Sequence, residues 1–137
     1  VGMCFTGGFA LAMMTEPSVV APVLSQPSLP FKDRGGLDCS ASEIACAKKR
    51  FQDENLSLIA MRFSSDKLVP DARIARLKAE FGDKVEVIDL ADVDAAPGQP
   101  MAPHSVLTLH LHRSAPDCGT MKARDRVIAF FRDKTGA

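Results

Sequence analysis

The spacing of hydrophobic residues along the chain alternates between a pattern typical of strands and one typical of helices. Short apolar runs of strand length occur at residues 19–24, 56–63 and 84–90. Apolar positions spaced as on one face of a helix occur at residues 7–15, 40–54, 71–82 and 120–134. The central run at 56–63 is of the kind that a parallel sheet buries on both faces. Strands that alternate with helices predict an α/β domain, with a mostly parallel sheet flanked by helices.

Local signals define where two of the helices begin and end. Ser40 or Ser42 is expected to cap the helix at 40–54, and Glu43 completes a capping box. Pro70 opens the next helix, and Gly82 is expected to end it.

A cysteine flanked by glycines lies close to the start of the chain. Residues 2–8 read GMCFTGG and lead directly into an apolar stretch. Small residues permit a sharp strand-to-helix turn that exposes the side chain of Cys4, and a helix N-terminus there favours thiolate. The amide of Phe5 would then face an oxyanion formed at the attacked atom. A small buried thiol in a glycine-rich turn accounts for the same residues equally well.

Two further residues occupy positions suited to chemistry. Asp66 follows the predicted strand at 56–63, where open α/β sheets collect their functional side chains. His104 follows the strand at 84–90 and a loop rich in proline, glycine and alanine, and histidine titrates near neutral pH. A surface turn for Asp66 and a solvated loop for His104 are the alternatives. The order of nucleophile, acid and histidine is the chain order of the α/β-hydrolases.

With these residues the chain resembles the dienelactone hydrolase family, the cysteine-nucleophile branch of the α/β-hydrolases. The resemblance rests on four segments, residues 2–8, 64–70, 103–105 and the closing helix at 126–132. It implies that Cys4 is the nucleophile, that His104 is general base and then acid, and that Asp66 orients His104. It also implies an activated ester or lactone as the small-molecule substrate, a thioester acyl-enzyme intermediate and no cofactor.

The resemblance further implies that residues 1–137 are the carboxy-terminal portion of such a domain, truncated just before the nucleophile turn. Loss of earlier strands should strip partners from the strands at 19–24 and 56–63, and should leave a sheet edge open to self-association. A truncated, non-catalytic remnant or interaction module is therefore the alternative function. Leu29 and Phe31, in a long loop beside the site, are expected to line an apolar substrate pocket.

Composition narrows the classes of partner. Of 137 residues, 46% are hydrophobic and 25% are charged, and 17 basic residues balance 17 acidic ones, so no net field favours nucleic acid or an anionic membrane. The apolar runs are too short to span a bilayer. Four cysteines without Cys-x-x-Cys spacing and no recognisable export signal predict reduced thiols and a cytoplasmic location.

Several other polar residues receive structural interpretations. His110 and His112 alternate with leucines, but no carboxylate or thiol follows at ligand spacing, so no metal site is predicted. Asp71 is expected to favour the dipole of its helix. The basic residues at 48–50 are expected to form a solvated helix face.

Overall fold

The structure of the protein is a computed structural model that describes residues 1–136. Within that range a sheet of four strands forms from β1 (Gly2–Met3), β2 (Val23–Ser25), β3 (Leu58–Phe63) and β4 (Val85–Leu90). The strands lie side by side in chain order, and every neighbouring pair is parallel. The carboxyl ends of all four strands therefore meet at one edge of the sheet.

Helices cover both faces of this sheet. The α-helices among residues 1–136 are α1 (Phe9–Ala12), α2 (Ala41–Asp53), α3 (Asp71–Phe81) and α4 (Gly119–Thr135). Helices α1, α2 and α3 contribute to one buried apolar cluster, and α4 contributes to a second. The α/β fold with a parallel sheet flanked by helices is thus confirmed.

The two clusters meet the sheet through alternate residues of β3. Leu58 and Ala60 belong to the first cluster, whereas Ile59, Met61 and Phe63 belong to the second. All six residues of β3, including Arg62, are buried, as the mostly apolar run predicts for a strand covered on both faces.

The helix predicted at residues 7–15 is much shorter in the structure. Only Phe9–Ala12 is α-helical, and 3₁₀ turns lie on either side at Cys4–Thr6 and Met13–Thr15. Pro17 limits the helix because the residue before a proline is disfavoured in helical conformation, and Glu16 is extended. The strand predicted at 19–24 is likewise displaced to Val23–Ser25, because a proline at position 22 has no N–H to donate to the ladder.

The boundaries of the longer helices agree with the local signals. The hydroxyl of Ser40 accepts from the amide of Glu43 at 3.2 Å, and the Glu43 carboxylate accepts from the amide of Ser40 at 2.6 Å. This is the predicted capping box of α2. Helix α3 ends at Phe81, and Gly82 has a φ of 58°, a conformation that glycine adopts without steric cost.

Two expectations are wrong. The first concerns Arg50, which is only 8% exposed and does not belong to a solvated helix face. Its guanidinium donates to the carboxylate of Glu54. It also donates to four backbone carbonyls, those of Met14, Glu16, Pro17 and Val19. These bonds satisfy carbonyls at the end of the irregular segment after α1.

The expected loss of partners is also wrong for both strands, since β2 pairs with β1 and β3, and β3 pairs with β2 and β4. Within residues 1–136 the open edge next to the nucleophile turn is that of β1.

Candidate active site

Cys4 is the first residue of the 3₁₀ turn that follows β1, and its backbone is strained. Its φ is 54°, in a region that costs a non-glycine residue about 1–3 kcal/mol. A Cβ on Gly2 would lie 2.1 Å from the carbonyl oxygen of Thr6, and one on Gly7 would lie 2.4 Å from Cα of Pro27. The glycines therefore permit two close backbone approaches, which hold Cys4 in the conformation of a nucleophile turn.

The structure brings together the three residues that the sequence selects. Nε2 of His104 lies 3.2 Å from Sγ of Cys4, and Nδ1 of His104 lies 2.6 Å from Oδ2 of Asp66. The side chains of His104 and Asp66 are buried, and Cys4 is half-buried. In this arrangement the imidazole can take the proton of the thiol, while the carboxylate supports the imidazolium that forms.

Asp66 is held by a tight turn at the carboxyl end of β3. The amide of Asp66 donates to the carbonyl of Phe63 at 3.1 Å, and Oδ1 of Asp66 accepts from the amide of Leu68 at 3.0 Å. Because Oδ1 accepts from the amide of Leu68, the other carboxylate oxygen, Oδ2, is directed at His104.

A further polar residue, Ser28, contacts the thiol and was not predicted from the sequence. Oγ of Ser28 lies 3.4 Å from Sγ of Cys4, and the amide of Ser28 donates to the carbonyl of Cys4 at 3.1 Å. Ser28 is fully buried and follows β2. The strand-end argument that selects Asp66 would have selected this residue as well, had it been applied to every strand.

The environment of Cys4 favours its thiolate form. Burial raises the pKa of the thiol, but hydrogen bonds from Ser28 and His104, the charge on His104 and the amide of Phe5 together hold that pKa below its ordinary value. The expected long helix N-terminus is not the source of this effect, because the segment after Cys4 is only a single 3₁₀ turn. Side chains brought from distant parts of the chain provide the stabilisation instead.

His104 has the opposite perturbation. The pKa of His104 is raised to about 9, mainly by its hydrogen bond with Asp66; Cys4 and the charge of Asp66 also raise this pKa, and burial opposes them. The lowered pKa of Cys4 and the raised pKa of His104 both favour the thiolate–imidazolium form of the pair, the form in which cysteine attacks most readily.

An aromatic pair includes Phe5, the residue that follows Cys4. Phe5 and Phe31 pack edge to face with ring centroids 5.6 Å apart, and each is 55% exposed. Phe31 thus packs against the residue that follows Cys4. Leu29, in the same loop, is half-buried.

The loop that carries Ser28 and Phe31 is organised by Arg73 of α3. Its guanidinium donates to five backbone carbonyls, those of Pro27, Pro30, Asp33, Gly36 and Leu68. Arg73 is 1% exposed, and burial lowers its pKa, with Arg34 adding to this and the charges of Asp33 and Asp38 opposing it. The sequence indicates the burial of Arg73, because this charged residue lies on the apolar face of its helix, beside Ile74 and Leu77.

The remaining polar candidates have other surroundings. Asp71 pairs with Arg62 at 2.5 Å and makes no contact with His104. In the part of the chain that the structure describes, no group of three or more histidine, cysteine, aspartate or glutamate side chains could hold a metal ion. His110 is buried beside the segment that carries His104.

Comparisons of the chain with models of protein families, with curated proteins and with solved structures found no match. The chemistry of the site is therefore inferred from its own residues and their geometry. Among residues 1–136, no helix has the length and apolar character needed to cross a bilayer.

Proposed function

We propose that the protein is a hydrolase of the dienelactone hydrolase type, in which Cys4, His104 and Asp66 cleave an activated carboxylic ester or a lactone. One observation carries this proposal: a strained cysteine, a histidine and an aspartate are joined by contacts of 3.2 and 2.6 Å. Their attachment at or beyond the ends of parallel strands is where such chemistry is usual in α/β folds.

The first half of the reaction forms a thioester. The thiolate of Cys4 attacks the carbonyl carbon, a C–S bond forms, and the carbonyl electron pair moves to oxygen, where the amide of Phe5 can donate to it. When the oxyanion collapses, the bond from carbon to the leaving oxygen breaks. That oxygen takes the proton from Nε2 of the His104 imidazolium and departs as an alcohol.

The second half releases the acyl group. Neutral His104 takes a proton from water through Nε2, and the hydroxide oxygen attacks the thioester carbonyl. The C–S bond then breaks, Cys4 leaves as a thiolate, and the imidazolium of His104 pairs with it again. Asp66 supports the imidazolium throughout without taking its proton.

The substrate class follows from the nucleophile and its surroundings. Thiolate is a good leaving group from a tetrahedral intermediate, so the alcohol of the substrate must leave readily as well. Peptide bonds are accordingly poor substrates. The exposed rings of Phe5 and Phe31 offer an apolar contact for the acyl group. We propose that Leu29, in the same loop as Phe31, also binds the acyl group.

Turnover of an activated aryl ester by the whole chain tests the proposal. Wild type should hydrolyse the ester, and Cys4→Ala and His104→Ala should each reduce kcat by at least about 10³-fold, because nucleophile and base act as a unit. Cys46→Ala, which changes a thiol outside the site, is the matched control and should leave turnover unchanged. Turnover that survives in Cys4→Ala would refute the proposal.

A non-catalytic interaction module is the second candidate. The open edge of β1 carries exposed apolar side chains, Val1 and Met3, next to exposed Phe9 and Met13. An exposed apolar patch beside an unpaired strand is typical of a surface that binds another chain. Absence of ester turnover together with association through this edge would favour this candidate.

We also propose a cytoplasmic location. The four cysteines of the described residues are free, and unpaired thiols are typical of a reducing compartment. Retention of all four thiols after fractionation of cells, measured by mass spectrometry, tests this.

A further inference from the structure

His110 is a buried histidine that the proposed reaction does not use. It is 1% exposed, and it lies six residues after His104 in a segment of successive turns. Its Nδ1 lies 3.1 Å from the amide nitrogen of Ser105 and 3.4 Å from that of His104. A single ring nitrogen thus faces two backbone N–H groups of the segment that carries His104.

The hydrogen bonds determine the tautomer of this ring. A nitrogen that accepts from two N–H donors carries no proton, so the proton of His110 lies on Nε2. Nε2 lies 3.3 Å from the carbonyl oxygen of Met101, to which it can donate. The ring therefore links the backbone before His104 to the backbone at and after it.

The same residue contacts the structure that carries Asp66. The ring of His110 packs edge to face on Phe63, with centroids 5.9 Å apart, and the carbonyl of Phe63 accepts from the amide of Asp66. The backbone amide of His110 also donates to the carbonyl of Ser105 at 3.0 Å. His110 thus lies between the two parts of the chain that carry the acid and the base.

We infer that His110 is a positioning residue, whose Nδ1 holds the backbone at residues 104–105 so that the imidazole of His104 reaches both Cys4 and Asp66. This inference rests on the function proposed above. Displacement of a catalytic group by about 1 Å can lower a rate about 10²-fold, so loss of the acceptor should reduce activity although His110 touches no reacting atom.

Two polar substitutions separate this role from general packing. In His110→Asn the side-chain oxygen can occupy the place of Nδ1 and accept from the two amides. In His110→Gln the polar group reaches the place of Nε2 and leaves these amides without an acceptor. We expect His110→Asn to retain kcat for an aryl ester within about threefold, and His110→Gln to lose about 10- to 100-fold in kcat with little change in KM.

The rate of Cys4 alkylation by iodoacetamide as a function of pH is the second measurement, and it does not depend on ester turnover. His110→Gln should shift the midpoint of this profile to higher pH because the thiolate loses its imidazolium partner, whereas His110→Asn should leave the midpoint in place. His112→Gln is the matched control, since Nδ1 of His112 has no hydrogen-bond partner in the described part of the chain.

Wild-type behaviour of His110→Gln in both assays would overturn the inference, as would equal losses in the Asn, Gln and His112→Gln variants. If His110→Gln does not fold, nitrogen-15 spectra of the wild-type imidazole decide the question. They should show the proton of His110 on Nε2, and a proton on Nδ1 would overturn the inference. A wild type without ester turnover but with the predicted alkylation shifts would refute the hydrolase and leave this inference standing.

Discussion

At the scale of single residues, the four cysteines have very different surroundings. The pKa of Cys4 is lowered, because the effects of Ser28 and His104 outweigh burial. Burial, reinforced by the charges of Glu43 and Asp38, raises the pKa of Cys39 to about 11. The thiolate form, which is the nucleophile, is thus favoured at Cys4 and disfavoured at Cys39.

Selective alkylation is the first prediction. At pH 7, iodoacetamide should modify Cys4 at least about tenfold faster than Cys39, Cys46 or Cys118, because the rate follows the fraction of thiolate and its exposure. Peptide mass spectrometry of the native protein over time measures the four rates. Equal labelling of all four thiols would contradict the assignment of Cys4.

Removal of the Ser28 hydroxyl tests the residue that sequence reasoning missed. Ser28→Ala removes the hydrogen bond that does most to lower the pKa of Cys4, so the midpoint of Cys4 alkylation should move to higher pH. The control is Ser18→Ala, at an exposed position, which should leave the midpoint unchanged. An unchanged midpoint in Ser28→Ala would show that the thiolate does not depend on this hydroxyl.

The pH dependence of turnover tests Asp66. In wild type, kcat/KM should fall as pH rises through about 9, because the imidazolium that protonates the leaving group loses its proton there. Asp66→Asn removes the hydrogen bond that is the main cause of this raised pKa. In Asp66→Asn the fall of kcat/KM at alkaline pH should therefore begin at lower pH, and kcat should fall about 10²- to 10⁴-fold.

Asp71→Asn is the control for this experiment, since Asp71 pairs with Arg62 and lies outside the site. The fall of kcat/KM at alkaline pH should stay where it is in that variant. A fall that does not move in Asp66→Asn would mean that another group, and not Asp66, sets the pKa of His104.

At the scale of elements, the turn that carries Cys4 depends on how closely it approaches the segment after β2. The amide of Ser28 donates to the carbonyl of Cys4, and Gly7 lies against the backbone of Pro27. Arg73 of α3 fixes the same segment from the other side through the carbonyl of Pro27. Three distant stretches of chain thus meet around the thiol.

Substitution of Gly7 tests this arrangement. A Cβ at this position would lie 2.4 Å from Cα of Pro27, so Gly7→Ala must force the turn and the segment apart. We expect a loss of stability of about 1–3 kcal/mol and slower alkylation of Cys4. Gly35→Ala is the control, because its Cβ would meet nothing closer than 3.8 Å. Equal unfolding midpoints for the two variants would refute the close approach.

At the scale of the whole molecule, β1 leaves one edge of the sheet unpaired within residues 1–136. At β1 the unpaired edge adjoins an apolar groove lined by Val1, Phe9, Met13 and Val19. Phe9 and Met13 are 48% and 55% exposed. An unpaired strand next to exposed apolar side chains can pair with another chain.

Self-association is therefore the prediction at this scale. The chain should sediment with a concentration-dependent mass, and the double variant Phe9→Lys/Met13→Lys should weaken association, because charges in the groove oppose apolar contact. Val93→Lys is the control, since Val93 is 85% exposed and lies outside this groove. A wild type that stays monomeric across the concentration range in sedimentation equilibrium would contradict the prediction.

Much of the architecture was determined by short-range features of the sequence. Five of the six residues Leu58–Phe63 are apolar, which predicts a strand covered on both faces, and Ser40 with Glu43 forms its capping box within one turn. Such features involve neighbours in the chain, so the alternation of strands and helices was predictable. The same alternation selected Cys4, Asp66 and His104, because residues at or beyond the ends of parallel strands meet at one edge.

Tertiary structure alone decided the surroundings of these residues. Ser28 reaches Cys4 across 24 positions, and Arg73 reaches the carbonyl of Pro27 across 46. The burial of Arg50 and the position of His110 also depend on which segments pack together. The periodicity of the sequence shows which face of a helix or strand is apolar. It does not show which distant carbonyl or amide will need a hydrogen-bond partner once water is excluded. That need arises only when the elements pack.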